Sequence, residues 1–412
     1  MAVNQTVSPL DYAAFFEARI AALKAEGRYR YFIPLERLAG EFPKAIWHHP
    51  KGPRPVTVWC ANDYLVQGQS QGVLAAMKAS LDAHGAGAGG TRNISGTHQS
   101  IVQLEQDLAD WHGKAAALVM TSGYVANWAA LSTIARQLPH CIVFSDAFNH
   151  SSMIEGLRHA RVEKRIFKHN DATDLRRLLR EAPPDCAKLI ACESLYSMDG
   201  DQAPLADFVT LAREYGALLY LDEVHAVGLY GGAGAGVAAA QGVAEQVDIL
   251  QGTLGKAIGQ IGGYIAASES IVDFVRSYAP GFIFTTALPP HVAAGARASL
   301  AEIRAADTKR EALHRKAAAL RQSLLEQGIP LFPTPSHIIP AAVNDAELCR
   351  AISDALLEEY GVYVQPINYP TVPRGTERLR ITVSPAHRPA MMQELTKALA
   401  EVMGRFGLAK AA

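Results

Sequence analysis

A lysine stands among small residues in Gln251-Gly252-Thr253-Leu254-Gly255-Lys256-Ala257-Ile258-Gly259, directly after the strand-like run 247–250. Glycines on both sides let backbone and ligand approach closely, because no Cβ intervenes. Pointed into a shielded cavity, such an amine loses hydration, its pKa falls, and it becomes a usable nucleophile. The competing reading is a surface lysine in a flexible turn. A second stretch upstream, Ala217-Leu218-Leu219-Tyr220-Leu221-Asp222-Glu223-Val224-His225, weighs against it. It reads as a buried strand ending in Asp222, and ligands of open α/β sheets collect at the carboxyl ends of strands. A lysine amine for an aldehyde and a carboxylate for a ring nitrogen are the two groups that pyridoxal 5'-phosphate (PLP) requires. With that nitrogen protonated, the ring accepts electrons from a carbanion at a substrate α-carbon.

Three further positions could complete such a site. His150, in Phe148-Asn149-His150-Ser151-Ser152, follows a strand ending at Ser145 and could stack on a planar ring or serve as a core histidine. Ser122-Gly123-Tyr124 follows a strand and opens a helix, where free N–H groups suit a phosphate. Arg380 lies on a strand, and its planar fork suits a carboxylate, whether of a ligand or of an ion-pair partner.

Other readings of these motifs fail on context. Asp222-Glu223-Val224-His225 resembles a helicase acidic box, but no phosphate loop precedes it. As metal ligands, Asp222, Glu223 and His225 lack the two-histidine helical spacing of zinc peptidases, so no metal site is expected. Gly85-Ala86-Gly87-Ala88-Gly89-Gly90 matches G-x-G-x-x-G, yet what precedes it reads as helix rather than strand. It is better taken as a Gly-rich loop beside a ligand.

The elements that must carry these residues are legible in the pattern. Short β-rich runs at 117–121, 141–145, 165–168, 189–193, 218–222, 248–251 and 264–266 alternate with helical stretches, the signature of a mostly parallel sheet covered by helices. Pro289-Pro290 marks the exit from that domain, and 291–327 reads as one long helix. The expected division is an N-terminal helix and arm (1–55), a large domain (56–290) and a smaller C-terminal α+β domain (291–412). Within the arm, 9–25 reads as an amphipathic helix with Phe15, Phe16, Ile20 and Leu23 on one face, and 27–32 alternates basic and aromatic residues that pack on the body or cap an anion.

Composition excludes several classes. The 39 Lys and Arg nearly cancel the 40 Asp and Glu, leaving no field to attract nucleic acid or an anionic membrane. Five cysteines without a CxxC spacing argue for a reducing compartment, with Cys141 and Cys192 as packing residues. The first ten residues lack the features of a signal or mitochondrial presequence, and no apolar run is long enough for a bilayer. The chain reads as cytoplasmic.

Asn62-Asp63-Tyr64-Leu65, Gly89-Gly90-Thr91-Arg92-Asn93-Ile94-Ser95-Gly96-Thr97, Asn149-His150, Asp222-Glu223-Val224-His225-Ala226 and Gly252-Thr253-Leu254-Gly255-Lys256 resemble the α-oxoamine synthase family of fold-type I PLP enzymes. Residues 278–286 and 363–375 resemble the branch of that family that condenses glycine with succinyl-CoA. The likeness runs from about Gly27 to Pro385. It implies an α/β, fold-type I PLP-dependent transferase, with a large mostly parallel sheet domain and a smaller C-terminal α+β domain. It further implies a homodimer with active sites at the subunit interface. Lys256 would hold the cofactor and shuttle the α-proton, Asp222 would pair with the ring nitrogen, His225 would contact the phenolic oxygen and His150 would stack. Ser122, Gly123, Tyr124, Thr253 and Thr285 of the partner subunit would hold the phosphate, with Tyr64 near the ring. Arg380, Asn62 and Ser197 would bind the glycine carboxylate; Arg30, Thr91, Asn93 and Ser145 would receive the succinyl group. The chain departs from the family pattern at Val66, where glycine is usual, at Ser70-Gln71 and at Ile101. A sister enzyme using another amino acid or acyl-CoA, or a paralogue in a secondary pathway, is the alternative.

Overall fold

The seven β-rich runs form one sheet in the computed structural model, which describes residues 10–409. Readings that touch Pro9, the first eight residues or the last three fall outside the described residues. Across the sheet the order is Ala116–Met120, Gly263–Ala267, Ile249–Thr253, Ala217–Asp222, Lys188–Glu193, Ile142–Asp146, Glu163–Phe167. Only Gly263–Ala267 runs against its neighbours; the remaining pairings are parallel. Helices cover both faces, so the central strands are apolar on both, and that is why they read as continuous runs rather than as alternation. The pleat divides their side chains between two cores. Leu118, Met120, Val143, Leu189 and Ile249 pack under the helices Gly123–Gln137, Ser151–Ala160 and Glu269–Tyr278. Val119, Phe144, Ile190, Leu221 and Leu250 face the opposite layer with Leu205–Tyr215.

Arg380 sits on the central strand of a separate three-stranded sheet, Ile338–Ala342, Arg378–Thr382 and Gln365–Ile367. The N-terminal strands Leu35–Glu36, Lys44–His49 and Gly52–Val58 form a third sheet whose far edge is Val362–Tyr363. Thr382 donates its N–H to the carbonyl of Trp59 at 2.7 Å, tying the strand of Arg380 to the segment that leads into Asn62 and Tyr64.

One expectation needs correction. The stretch 291–327 is two helices, Pro290–Arg304 and Asp307–Glu326, not one. Neither glycine nor proline marks the break at Ala305-Ala306. The first helix packs on Gln71–His84 and Gln99–His112 of the large body, the second on Pro389–Arg405, so the chain turns where it changes partners. The N-terminal helix Tyr12–Ala25 forms, capped by the Asp11 carboxylate on the Ala14 N–H at 3.1 Å, but its apolar face covers nothing within one chain. Phe15, Phe16, Ile20 and Leu23 are all exposed there. In the segment 27–32, Tyr31 and Phe32 are exposed too, yet the segment lies on the body, with the Arg350 guanidinium 4.0 Å from the Tyr31 ring centre and Arg30 on Thr371 Oγ1.

Val66 adopts φ 59° and ψ 33°, a left-handed conformation that a β-branched side chain takes only under strain. The turn is held because the Asp63 carboxylate accepts the N–H groups of Gln67 and Gly68 at 2.8 and 2.9 Å. Val66→Gly relieves this strain, less the added freedom of glycine in the unfolded chain, and is expected to stabilise the protein by about 0.5–1 kcal/mol. A higher urea midpoint checks this; an unchanged or lower one contradicts it.

Candidate active site

Lys256 hangs in the loop between Ile249–Thr253 and Gly263–Ala267, closed by Gly259 N–H to the Lys256 carbonyl at 2.8 Å and Gln260 N–H to the Leu254 carbonyl at 2.7 Å. Gly259 has φ +71°, and a Cβ there would lie 2.2 Å from the Gly68 nitrogen. The lysine loop therefore rests on the turn that begins at Asn62. Side chains from both segments and from two sheets converge as a result.

A cavity of about 110 Å³ opens at the carboxyl end of the large sheet. Lys256, Asp222, His225, His150, Thr253, Gly123 and Tyr124 line it, joined by Asn127, Ser152, Glu193 and Val224. The Lys256 Nζ is 2.8 Å from His225 Nε2, and His225 Nδ1 is 2.8 Å from the Tyr64 hydroxyl. Arg380 donates to that hydroxyl at 3.0 Å, to Asn62 Oδ1 at 3.2 Å and to the Ser197 carbonyl at 2.6 Å. Amine, imidazole, phenol and guanidinium thus form one hydrogen-bonded chain across the two sheets.

Burial pushes the Lys256 amine down to about 8, opposed by the attraction of Asp222. Burial holds His225 well below its ordinary range, and the charge of Lys256 adds to that, so the imidazole is neutral at pH 7. His150 is lowered mainly by burial too. Its Nδ1 accepts the Ser152 N–H at 3.2 Å and caps the helix Ser151–Ala160. Asp222 is gripped on both oxygens, by Asn127 Nδ2 at 2.6 Å and by the Val224 N–H at 2.8 Å. Glu223, its sequence neighbour, turns away. Its carboxylate accepts from Ser194 Oγ and from the N–H groups of Val237 and Ala238.

The residues present match PLP on chemistry and space. An amine lowered to about 8 and a fixed carboxylate line the same cavity, and the helix Gly123–Gln137 opens at its edge with Gly123 and Tyr124. A Cβ on Gly123 would meet Thr253 Oγ1 at 3.1 Å, so any larger residue would crowd Thr253 at that helix N-terminus. Ser122 caps the helix through the Val125 N–H at 3.1 Å. Because the uncharged amine is the attacking form, the rate at which cofactor-free protein takes up PLP covalently should rise about tenfold per pH unit below pH 7. It should level off above about 8, following the amine. Stopped-flow absorbance checks this, and a rise continuing to the ordinary lysine range contradicts it.

Not every expected residue reaches this cavity. Arg30 is exposed and donates to Thr371 Oγ1 at 3.0 Å. Thr91 donates to Asn93 Oδ1 at 2.7 Å and bridges to Thr286, while Thr285 donates to the Gly281 carbonyl at 2.6 Å. Ser145 is buried at a strand end and accepts from Asn149 Nδ2 at 2.9 Å. Ser197 reaches Arg380 through its carbonyl. Conversely, sequence reasoning passed over Asn127, Ser152 and Glu193. Glu193 closes a strand as Asp222 does, and applying the strand-end rule to it as well would have found it.

A family profile described as aminotransferase class I and II matches residues 54–399. The chain is 53% identical over 399 residues to the 5-aminolevulinate synthase of Bradyrhizobium diazoefficiens, covering 97% of this chain and 98% of that protein. It is 51% identical over 394 residues to 5-aminolevulinate synthase 2 of Cereibacter sphaeroides, covering 95% and 97%. Among solved structures it resembles a serine palmitoyltransferase from S. paucimobilis, with TM-score 0.90 and 32% identity over 97% of this chain and 100% of that one.

Proposed function

We propose, because the chain belongs to the aminotransferase class I and II family and within it to the 5-aminolevulinate synthases, that the cavity around Lys256 is where it works on its substrates. The reaction is the PLP-dependent condensation of glycine with succinyl-CoA to 5-aminolevulinate, CoA and carbon dioxide, the entry to haem biosynthesis. The observation that carries the site assignment is the placement of the Lys256 amine and the Asp222 carboxylate on one cavity beside a helix N-terminus.

When bound, PLP supplies a protonated ring that accepts the electrons left on the glycine α-carbon as its proton departs. Each side chain then has a definite task. Asp222 keeps its charge toward the ring nitrogen while Asn127 and the Val224 N–H fix its two oxygens. Lys256 Nζ takes the α-proton and later returns one, a role suited to an amine near pH 8. His225, neutral, orients that amine through Nε2 and would contact the phenolic oxygen of a bound cofactor. Arg380, held by Ser197 and Asn62, offers its guanidinium to the glycine carboxylate. Thr253, Gly123, Tyr124 and Ser122 would hold the phosphate end, and His150 would stack on the ring.

Arg30, Thr91, Asn93 and Ser145 form the succinyl end in this reading, and Thr285 of the partner subunit completes the phosphate site. Exposed apolar side chains support a homodimer: Ile94, Tyr278 and Phe284 surround the Thr91 and Thr285 segments, and the face of Tyr12–Ala25 is uncovered. We also place the protein in the cytoplasm and divide it at about residue 290. Among the described residues no helix is long and apolar enough to cross a membrane. Purified protein given glycine with a panel of acyl-CoAs tests the reading. Succinyl-CoA should be preferred to a neutral acyl-CoA of similar length, because only its carboxylate can pair with the Arg30 guanidinium. A preference for the neutral substrate would favour a sister activity.

A further inference from the structure

Glu193 ends the strand Lys188–Glu193 in direct register with Asp222 on the neighbouring parallel strand, so the two carboxyl groups emerge on the same face of the sheet. Both line the Lys256 cavity, and Glu193 is 2% exposed. Its Oε1 accepts the His150 backbone N–H at 2.6 Å. That N–H belongs to the turn that sets the imidazole, and the same imidazole caps the following helix. We propose that Glu193 is a positioning residue that fixes the His150 turn over the ring site and stands there as a neutral hydrogen-bonding group, leaving the pair's single negative charge on Asp222.

The argument is one of charge and geometry. Two carboxylates side by side in a buried space do not both ionise, because like charge and desolvation act together. Asp222 has the donors that suit an anion, two of them, one on each oxygen. Glu193 has the His150 N–H on one oxygen. Burial and the nearness of Asp222 both push its carboxyl well above the usual range; the His150 N–H and Lys256 pull the other way, and Asp146 adds a further upward push. A protonated carboxyl still accepts the N–H through its carbonyl oxygen, so the positioning bond needs no charge. A second anion here would also compete with Asp222 for the ring proton.

This rests on the cavity being the cofactor's place, and the test separates the two claims. Wild-type holoenzyme, Glu193→Gln, Glu193→Asp and Glu193→Ala are compared for PLP dissociation constant, the visible circular dichroism of bound cofactor, and kcat and KM. Glutamine is neutral, has the same length and keeps a carbonyl for the His150 N–H. It should hold PLP affinity and kcat within about threefold of wild type and preserve the dichroic band. Alanine removes the acceptor, and aspartate draws it back by one methylene. Each should weaken PLP about tenfold or more, alter the band, and lower kcat more than it raises KM. Should the alanine protein not fold, aspartate against glutamine still decides. Loss in Glu193→Gln as large as in Glu193→Asp would overturn the neutral role, and wild-type behaviour of both Glu193→Ala and Glu193→Asp would overturn the positioning role. A wild-type enzyme that binds no PLP would instead defeat the cofactor reading itself.

Discussion

Lys256→Ala is expected to lower kcat by at least about 10³-fold while PLP remains bound non-covalently. The amine does two jobs that no neighbour can take over. In the proposed reaction it anchors the cofactor, and its Nζ exchanges the glycine α-proton. His225 lies 2.8 Å from that nitrogen but is neutral and committed to the Tyr64 hydroxyl through its other nitrogen, so it offers no replacement base of matched strength. The rest of the cradle, with Asp222, Gly123 and Tyr124 in the cavity wall, survives the substitution, which is why affinity for PLP should fall far less than turnover. Steady-state assay alongside equilibrium dialysis with PLP checks both halves. Near wild-type turnover would contradict the assignment.

Asp222→Asn should cost about 10²–10⁴-fold in kcat with a much smaller change in the glycine KM. The carboxylate acts only where charge develops. An amide leaves the ring nitrogen without an anionic partner, so the ring no longer carries a full positive charge and loses most of its pull on the α-carbon electrons. The groups proposed for the glycine carboxylate, Arg380, Asn62 and Ser197, are left in place by the change. The amide also satisfies only one of the two donors, Asn127 Nδ2 and the Val224 N–H, that hold the aspartate, so a modest loss of stability should accompany the loss of rate. Equal effects on kcat and on glycine binding would instead point to a structural role.

Much of this was legible in the sequence, for identifiable reasons. Six of the seven strands of the main sheet are buried almost throughout, which leaves apolar runs that survive any error of a residue or two at their ends; the edge strand Glu163–Phe167 is mostly exposed. The strand-end rule then put Asp222, Lys256 and His150 at one edge, and all three line one cavity. The break at Ala305-Ala306 was invisible because it is set by which body each helix packs on, not by a breaker residue. Likewise the uncovered face of Tyr12–Ala25 cannot be told from a buried one by periodicity alone. Asn127 escaped notice as one polar residue inside an apolar helix, where only the fold brings it 2.6 Å from Asp222. Arg30, Thr91, Asn93 and Thr285 came from resemblance rather than from pattern, and within one chain none of them lines the cavity.

The most direct measurement is to reduce the PLP-loaded protein with borohydride, digest it and locate the pyridoxyl group by peptide mass spectrometry. One label, on the peptide carrying Lys256, is the expected outcome. A label on any other lysine, or none after saturation with cofactor, would contradict the account.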